Sequence, residues 1–137
     1  MKTTLKTILV CVAMLLAGRI SAGGDGGNDV FVPIAKYLGQ GDVDKLSAWF
    51  SDNLEISLLS RSNDCSKSQA KQILKTFFSN HTPRSFEISH TASKANSKYA
   101  LGTLSAGGEA YQVTIFVSNC NGQYKIQQLK IDQDQIR

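Results

Sequence analysis

His81 and His90 are the only imidazoles in the chain, and so the only side chains whose ordinary titration range brackets neutral pH. His81 follows a helical run, where a cation beside the last carbonyls is favoured. His90 shares strand parity with Phe86 and Ile88, which directs it inward at the end of an apolar face. There it would serve as a general base, as a donor orienting a ligand, or as a satisfied core residue. The strand acids Glu55, Glu87 and Glu109 alternate away from the apolar positions, while Asp29, Asp42 and Asp52 stand where helix caps and stops belong. No carboxylate is left for an interior site. Tyr37, Trp49 and Tyr111 fall at core periodicity and carry polar tips, so they either line a pocket or fill the centre. No metal spacing, phosphate loop or cofactor motif occurs, and no cofactor is expected.

The elements that must place these residues begin behind a targeting segment. Lys2 and Lys6 precede an apolar run from Ile8 to Ala17, and Ser21-Ala22 supplies a small-residue exit, which together read as a signal peptide over 1–22. The run is too short to span a bilayer, which needs roughly 20 residues. No membrane insertion is expected after processing, and Cys11 lies mid-run, away from a lipidation position. The predicted location is the periplasm or the exterior. Three of the 15 basic residues (Lys2, Lys6 and Arg19) lie in that segment and none of the 11 acidic ones, so the net charge falls from +4 to +1 on cleavage. The remaining lysines are spaced singly, without the cluster that tracks a phosphate backbone, which argues against nucleic acid as partner.

Residues 23–28, GGDGGN, read as a flexible spacer, and 29–137 as a single domain with one core. Asp29 is the expected cap of a first helix, in which Phe31, Ile34, Ala35 and Leu38 share a face until Gly39-Gln40-Gly41. Asp42 caps a second helix carrying Val43, Leu46, Trp49 and Phe50, stopped at Asp52-Asn53. Leu54–Ser60 alternates as a strand, and Arg61–Cys65 reads as a polar loop. Ser66 and Gln69 form a capping box ahead of a helix that buries Ala70, Ile73, Leu74, Phe77 and Phe78. Four strands follow, Ser85–Thr91, Lys98–Ser105, Glu109–Ser118 and Gln123–Asp132, with two-residue turn signals at Gly107-Gly108 and Asn121-Gly122.

Counting from those turns sets Leu104 opposite Tyr111, Gly102 opposite Val113 and Ala100 opposite Ile115. Bulky residues thus face small ones, leaving room either for a closely packed helix or for a void. In the second hairpin, Val117 meets Ile126, but Ile115 would then meet Gln128. One extra residue at Gln127-Gln128 restores Leu129 opposite Ile115 and Ile131 opposite Val113, so a β-bulge is predicted there. The opposite face, with Tyr99, Leu101, Thr103, Gln112, Thr114, Phe116 and Lys125, is too apolar for a solvated surface and too polar for a core. Its composition is that of an interface.

The order helix, helix, strand, helix and four antiparallel strands resembles the nuclear transport factor 2-like (cystatin-like) fold. That superfamily also holds ketosteroid isomerase, scytalone dehydratase and the SnoaL-like cyclases. The stretches DVFVPIAKYLGQGDVDKLSAWF, SKSQAKQILKTFF and LSAGGEAYQVTIFV with KIQQLKI resemble a family of uncharacterised exported bacterial proteins with that fold. The resemblance implies an α+β domain with three helices on a curved, mostly antiparallel five-stranded sheet. It also implies a first strand parallel to the last, which separates Cys65 from Cys120. Dimers through the outer sheet face are frequent in that superfamily, and a homodimer is expected.

Its enzymes use an aspartate or histidine in the helix–sheet cavity as base, with a tyrosine or acid as oxyanion donor. Here that pattern would fall to His90 and Tyr111, in an isomerase or dehydratase. The absence of a cavity carboxylate favours the non-catalytic reading: an exported domain binding a small apolar ligand or a protein partner, with Tyr37, Trp49, His90, Ala100, Gly102 and Tyr111 around the ligand. A structural envelope protein working by self-association is the third reading. A void of more than about 300 Å³ beside Ala100, Gly102 and Tyr111 is what a ligand site there requires.

Overall fold

The structure, a computed structural model, describes residues 30–133. The signal peptide, the spacer and the Asp29 cap lie outside the described residues. Helix α1 (Phe31–Gln40) starts with Val30 at its cap position and buries Phe31, Ile34 and Leu38. Gly41 ends it in the left-handed conformation, its N–H donating to Leu38 and Tyr37 carbonyls. Asp42 then caps α2 (Val43–Leu46) by accepting from the Lys45 N–H at 3.1 Å, an interaction that contributes about 1 kcal/mol.

The second helix is shorter than its periodicity predicts. It passes into a single 3₁₀ turn, Ser47–Trp49, and Phe50 already opens strand β1 (Phe50–Leu58) instead of completing the helical face. The cause is tertiary. Phe50 pairs with Ile126 of β6 (Gln123–Gln133) and is 1% exposed, while Lys125 of the same strand donates to the Ala48 carbonyl at 3.0 Å. Burying a phenylalanine in a sheet outweighs the few tenths of a kcal/mol at stake in helix propensity.

Residues Arg61–Ser66 form a strand, β2, where a loop is expected, and the sheet has six strands, one more than predicted. The turn joining β1 to β2 is Leu59-Ser60, with φ of 52° and 72°. Such a turn normally carries Asn or Gly, so its residue types conceal it. It is held by Leu59 N–H donating to the Ile131 carbonyl (2.8 Å) and Ser60 N–H donating to Asp132 Oδ1 (2.9 Å).

Helix α3 (Lys67–Asn80) begins with the full capping box of Ser66 and Gln69 and buries Ala70, Leu74, Phe77 and Phe78. Lys71 and Lys75 both reach Asp44, at 3.0 and 3.1 Å, tying α3 to α2. Strands β3 (Pro83–Ser93), β4 (Ser97–Ala106) and β5 (Glu109–Cys120) complete the sheet, whose order is β2-β1-β6-β5-β4-β3. Only β1 and β6 run parallel. The β4–β5 register matches the counted one pair for pair, and the β5–β6 register skips Gln127, the bulge that the apolar mismatch predicts. The three helices lie on one face, over a core that includes Leu104, Val113, Ile115, Leu129 and Ile131, all fully buried.

Candidate functional site

On the inner face, Ala100 is 0% and Tyr111 3% exposed, and Gly102 is buried opposite Val113. The space that Gly102 leaves is taken by Phe86. A Cβ built on Gly102 would stand 2.5 Å from Phe86 Cζ and 2.5 Å from the Glu87 carbonyl oxygen. Neither a helix nor a void occupies the position; a ring from the neighbouring strand does. Tyr37 and Trp49 are half-buried and pack against the same core as filler.

Tyr111 sits beneath the end of α3. Its ring meets Phe77 edge-on at 5.5 Å and His81 edge-on at 5.8 Å, while His81 stacks on Phe77 at 4.4 Å. The His81 N–H and Nδ1 both lie 2.9 Å from the Phe77 carbonyl oxygen, the contact with a terminal helix carbonyl that its position predicts. Burial, with a smaller contribution from the Glu109 charge, pushes the Tyr111 phenol above its ordinary range. At neutral pH it is a neutral aromatic wedge.

His90 is exposed and lies on the outer face, contrary to the inward placement that parity predicts. Strand β3 pairs Ile88 with Gly102 and then His90 with Leu101, skipping Ser89. This bulge reverses the alternation, so Thr91 takes the inward place opposite Ala100 and His90 meets Tyr99 edge-on at 6.4 Å. His90 and Tyr111 therefore stand on opposite faces of the sheet. Tyr37 and Trp49 pack against the core that includes Ala100 and Tyr111, and Gly102 is buried on the same inner side.

Four depressions stand out among the described residues. Two adjoin strand β2, with volumes of about 650 and 490 Å³, and are lined by amide, hydroxyl and carboxylate side chains together with Leu54, Cys65 and Ile73. One of about 410 Å³ lies at the Leu59-Ser60 turn. The fourth, about 450 Å³, is on the outer face at the β3–β4 hairpin, lined by Ala92, Tyr99 and Phe116 with Ser93, Lys94, Ser97 and Lys98. None is lined by Tyr37, Trp49, His90, Ala100, Gly102 or Tyr111.

The fourth depression has the most apolar lining of the four. Ala92, Tyr99 and Phe116 lie side by side across three strands, Tyr99 pairing with both of the others. The Lys98 ammonium is engaged elsewhere, donating to Tyr124 Oη at 3.1 Å and lying 4.4 Å from that ring's centre. Alternation along β4 and β5 signals Tyr99 and Phe116 as outer-face residues. The hairpin wall at Ser93, Lys94 and Ser97 carries no sequence signal of its own.

Cys65 and Cys120 are both free thiols. Cys65 is buried, and burial pushes its thiol above the ordinary range, assisted by the Asp64 charge and opposed by the Ile56 backbone. Among the described residues no group of three or more His, Cys, Asp or Glu is placed to hold a metal ion, and no helix is long and apolar enough to cross a membrane.

A family model described as a domain of unknown function, DUF4783, matches residues 31–132. No curated protein matches the sequence. Among solved structures, a DUF4783 protein from Bacteroides ovatus superposes with a TM-score of 0.74 at 23% identity, covering 77% of this chain and 96% of that one. A second, from Bacteroides uniformis, gives 0.73 at 23% identity over 76% and 96%. A nuclear transport factor 2-like protein of unknown function from Cytophaga hutchinsonii gives 0.59 at 8% identity over 87% and 95%. The fold is therefore nuclear transport factor 2-like.

Proposed function

The chain belongs to the DUF4783 family, and from that premise, which supplies a fold and leaves the activity open, we propose an exported, non-enzymatic domain that binds a small apolar ligand on the outer face of its sheet. The observation that carries this reading is the apolar depression of about 450 Å³ walled by Ala92, Tyr99 and Phe116. Its volume falls within the range of about 300 to 1,000 Å³ usual for small-molecule sites. Export rests on Lys2, Lys6 and the apolar run that follows them. The non-enzymatic part rests on His90 and Tyr111, which no common cavity joins.

Fluorescence titration with anilinonaphthalene sulfonate tests the reading. The folded protein is expected to enhance the dye with one saturable site, and Phe116→Ala to abolish that site while its far-ultraviolet circular dichroism stays unchanged. Equal binding by Phe116→Ala overturns the assignment. Sedimentation across a concentration series covers the rival use of the same face: a dimer that Tyr99→Ala dissociates would make a second copy the occupant.

A further inference from the structure

The sheet is open, so it has two edges, β2 and β3, and they differ in proline, register shifts and helix cover. Strand β3 begins with a proline, skips register at Arg84 and at Ser89, and lies under α1, where Gly39 comes so close that a Cβ there would meet the Phe86 nitrogen at 3.1 Å. Prolines, bulges and a covering helix are the usual means of blunting an edge. Strand β2 has none of them. It pairs with β1 residue for residue from Arg61–Leu58 to Ser66–Asn53, without a bulge, and four of its six residues are exposed.

Beside β2 lie the two larger depressions, which adjoin at Asp64, Cys65 and Gln69. One wall comes from the first turns of α3, with Ser68, Gln69, Gln72 and Ile73. The other end reaches Asn53, Glu55 and Gln127, where β1 loses its pairing with β6 between Phe50 and Glu55. Amides and hydroxyls dominate the lining, as suits a chain whose backbone must be matched donor for acceptor. Two carboxylates, Glu55 and Asp64, are directly opposite one another in the β1–β2 pair, an arrangement that costs free energy on its own. Glu55 accepts from Gln128 Nε2 at 3.1 Å, and no lysine or arginine lines either depression.

We propose that the β2 edge is a docking site for an extended, basic peptide segment of a partner protein, which adds as a seventh strand and sets a lysine or arginine over Glu55 and Asp64. Strand addition supplies affinity through main-chain hydrogen bonds and specificity through alternate side chains. A cation between the opposed carboxylates removes their repulsion, which is what selects basic over acidic segments.

The test uses the isotope-labelled protein and two synthetic peptides, Thr-Val-Arg-Val-Thr and Thr-Val-Glu-Val-Thr, both with blocked ends. The arginine peptide is expected to shift the amide resonances of Arg61–Ser66 saturably and to slow hydrogen exchange on that strand. The glutamate peptide should bind up to about fivefold more weakly, the upper end for a partly exposed ion pair. Asp64→Asn, which leaves the strand intact, should narrow that difference. Perturbation of β3 in place of β2, absence of any shift at millimolar peptide, or equal binding of the two peptides overturns the proposal. Protection of β2 that rises with protein concentration alone also overturns it, by making a second copy the occupant.

Discussion

The inner and outer faces of this sheet carry similar aromatic side chains to opposite ends. Inside, Phe86 fills the place vacated by Gly102 and Tyr111 is wedged against Phe77 and His81, so the aromatics fill the space. Outside, Tyr99 and Phe116 lie beside Ala92 with solvent above them, and the same residue types frame an opening. The difference lies in what each ring is packed against. An aromatic beside a glycine removes a cavity, whereas one beside an alanine on an uncovered face helps to make one.

The largest effect that would break this contrast is at Gly102. Gly102→Val should lower stability by about 3 kcal/mol, read from the urea midpoint, because the Glu87 carbonyl is backbone and cannot yield to the new side chain. A change near zero would mean that the inner face has room after all. Phe86→Ala in the same background should recover part of the loss, the signature of two residues contending for one space.

The thiols sharpen the comparison at a smaller scale. In the folded protein, maleimide at pH 7.5 is expected to modify half-exposed Cys120 well before buried Cys65, and the mass without reductant should already show both as free. Equal labelling rates would mean that Cys65 is reached through the depressions beside β2.

Asp44 gives the smallest effect. Hydrogen bonds from Lys71, then Lys75, and the charges of both hold its carboxyl below the usual aspartate range. A lowered folded-state value means that its contribution is present above the unfolded pKa and fades as pH falls through the folded one. The gap in thermal midpoint between the protein and Asp44→Asn should therefore be open at neutral pH and close on acidification. Asp44 is fully exposed, so the gap is slight.

Much of this could be seen in the residues beforehand, and the failures have physical causes. Helix α3 and strands β4 to β6 announce themselves because apolar period, capping box and turn chemistry agree. The Gln127 bulge is legible because two apolar pairs, Ile115 with Leu129 and Val113 with Ile131, are lost without it. The Ser89 bulge is not, since Phe86 and Ile88 pair correctly without it and no large apolar residue follows to expose the slip. Strand β2 is hidden by Leu59 and Ser60, which occupy positive-φ positions where other residue types are the rule. The two proposed binding surfaces are the least legible, because the depth of an interior depends on rings such as Phe86 that carry no chemistry.

The lone parallel pairing, β1 with β6, joins the earliest strand of the domain to its last. Everything from β2 to β5 must be present before β1 acquires that neighbour, which makes the contact non-local and the completion of the sheet late. Until then the first hairpin hangs beside an unfinished sheet. A chain threaded through a membrane from its N-terminus would thus stay unable to fold until almost all of it had passed, and loss of the final strand would release both ends of the domain at once.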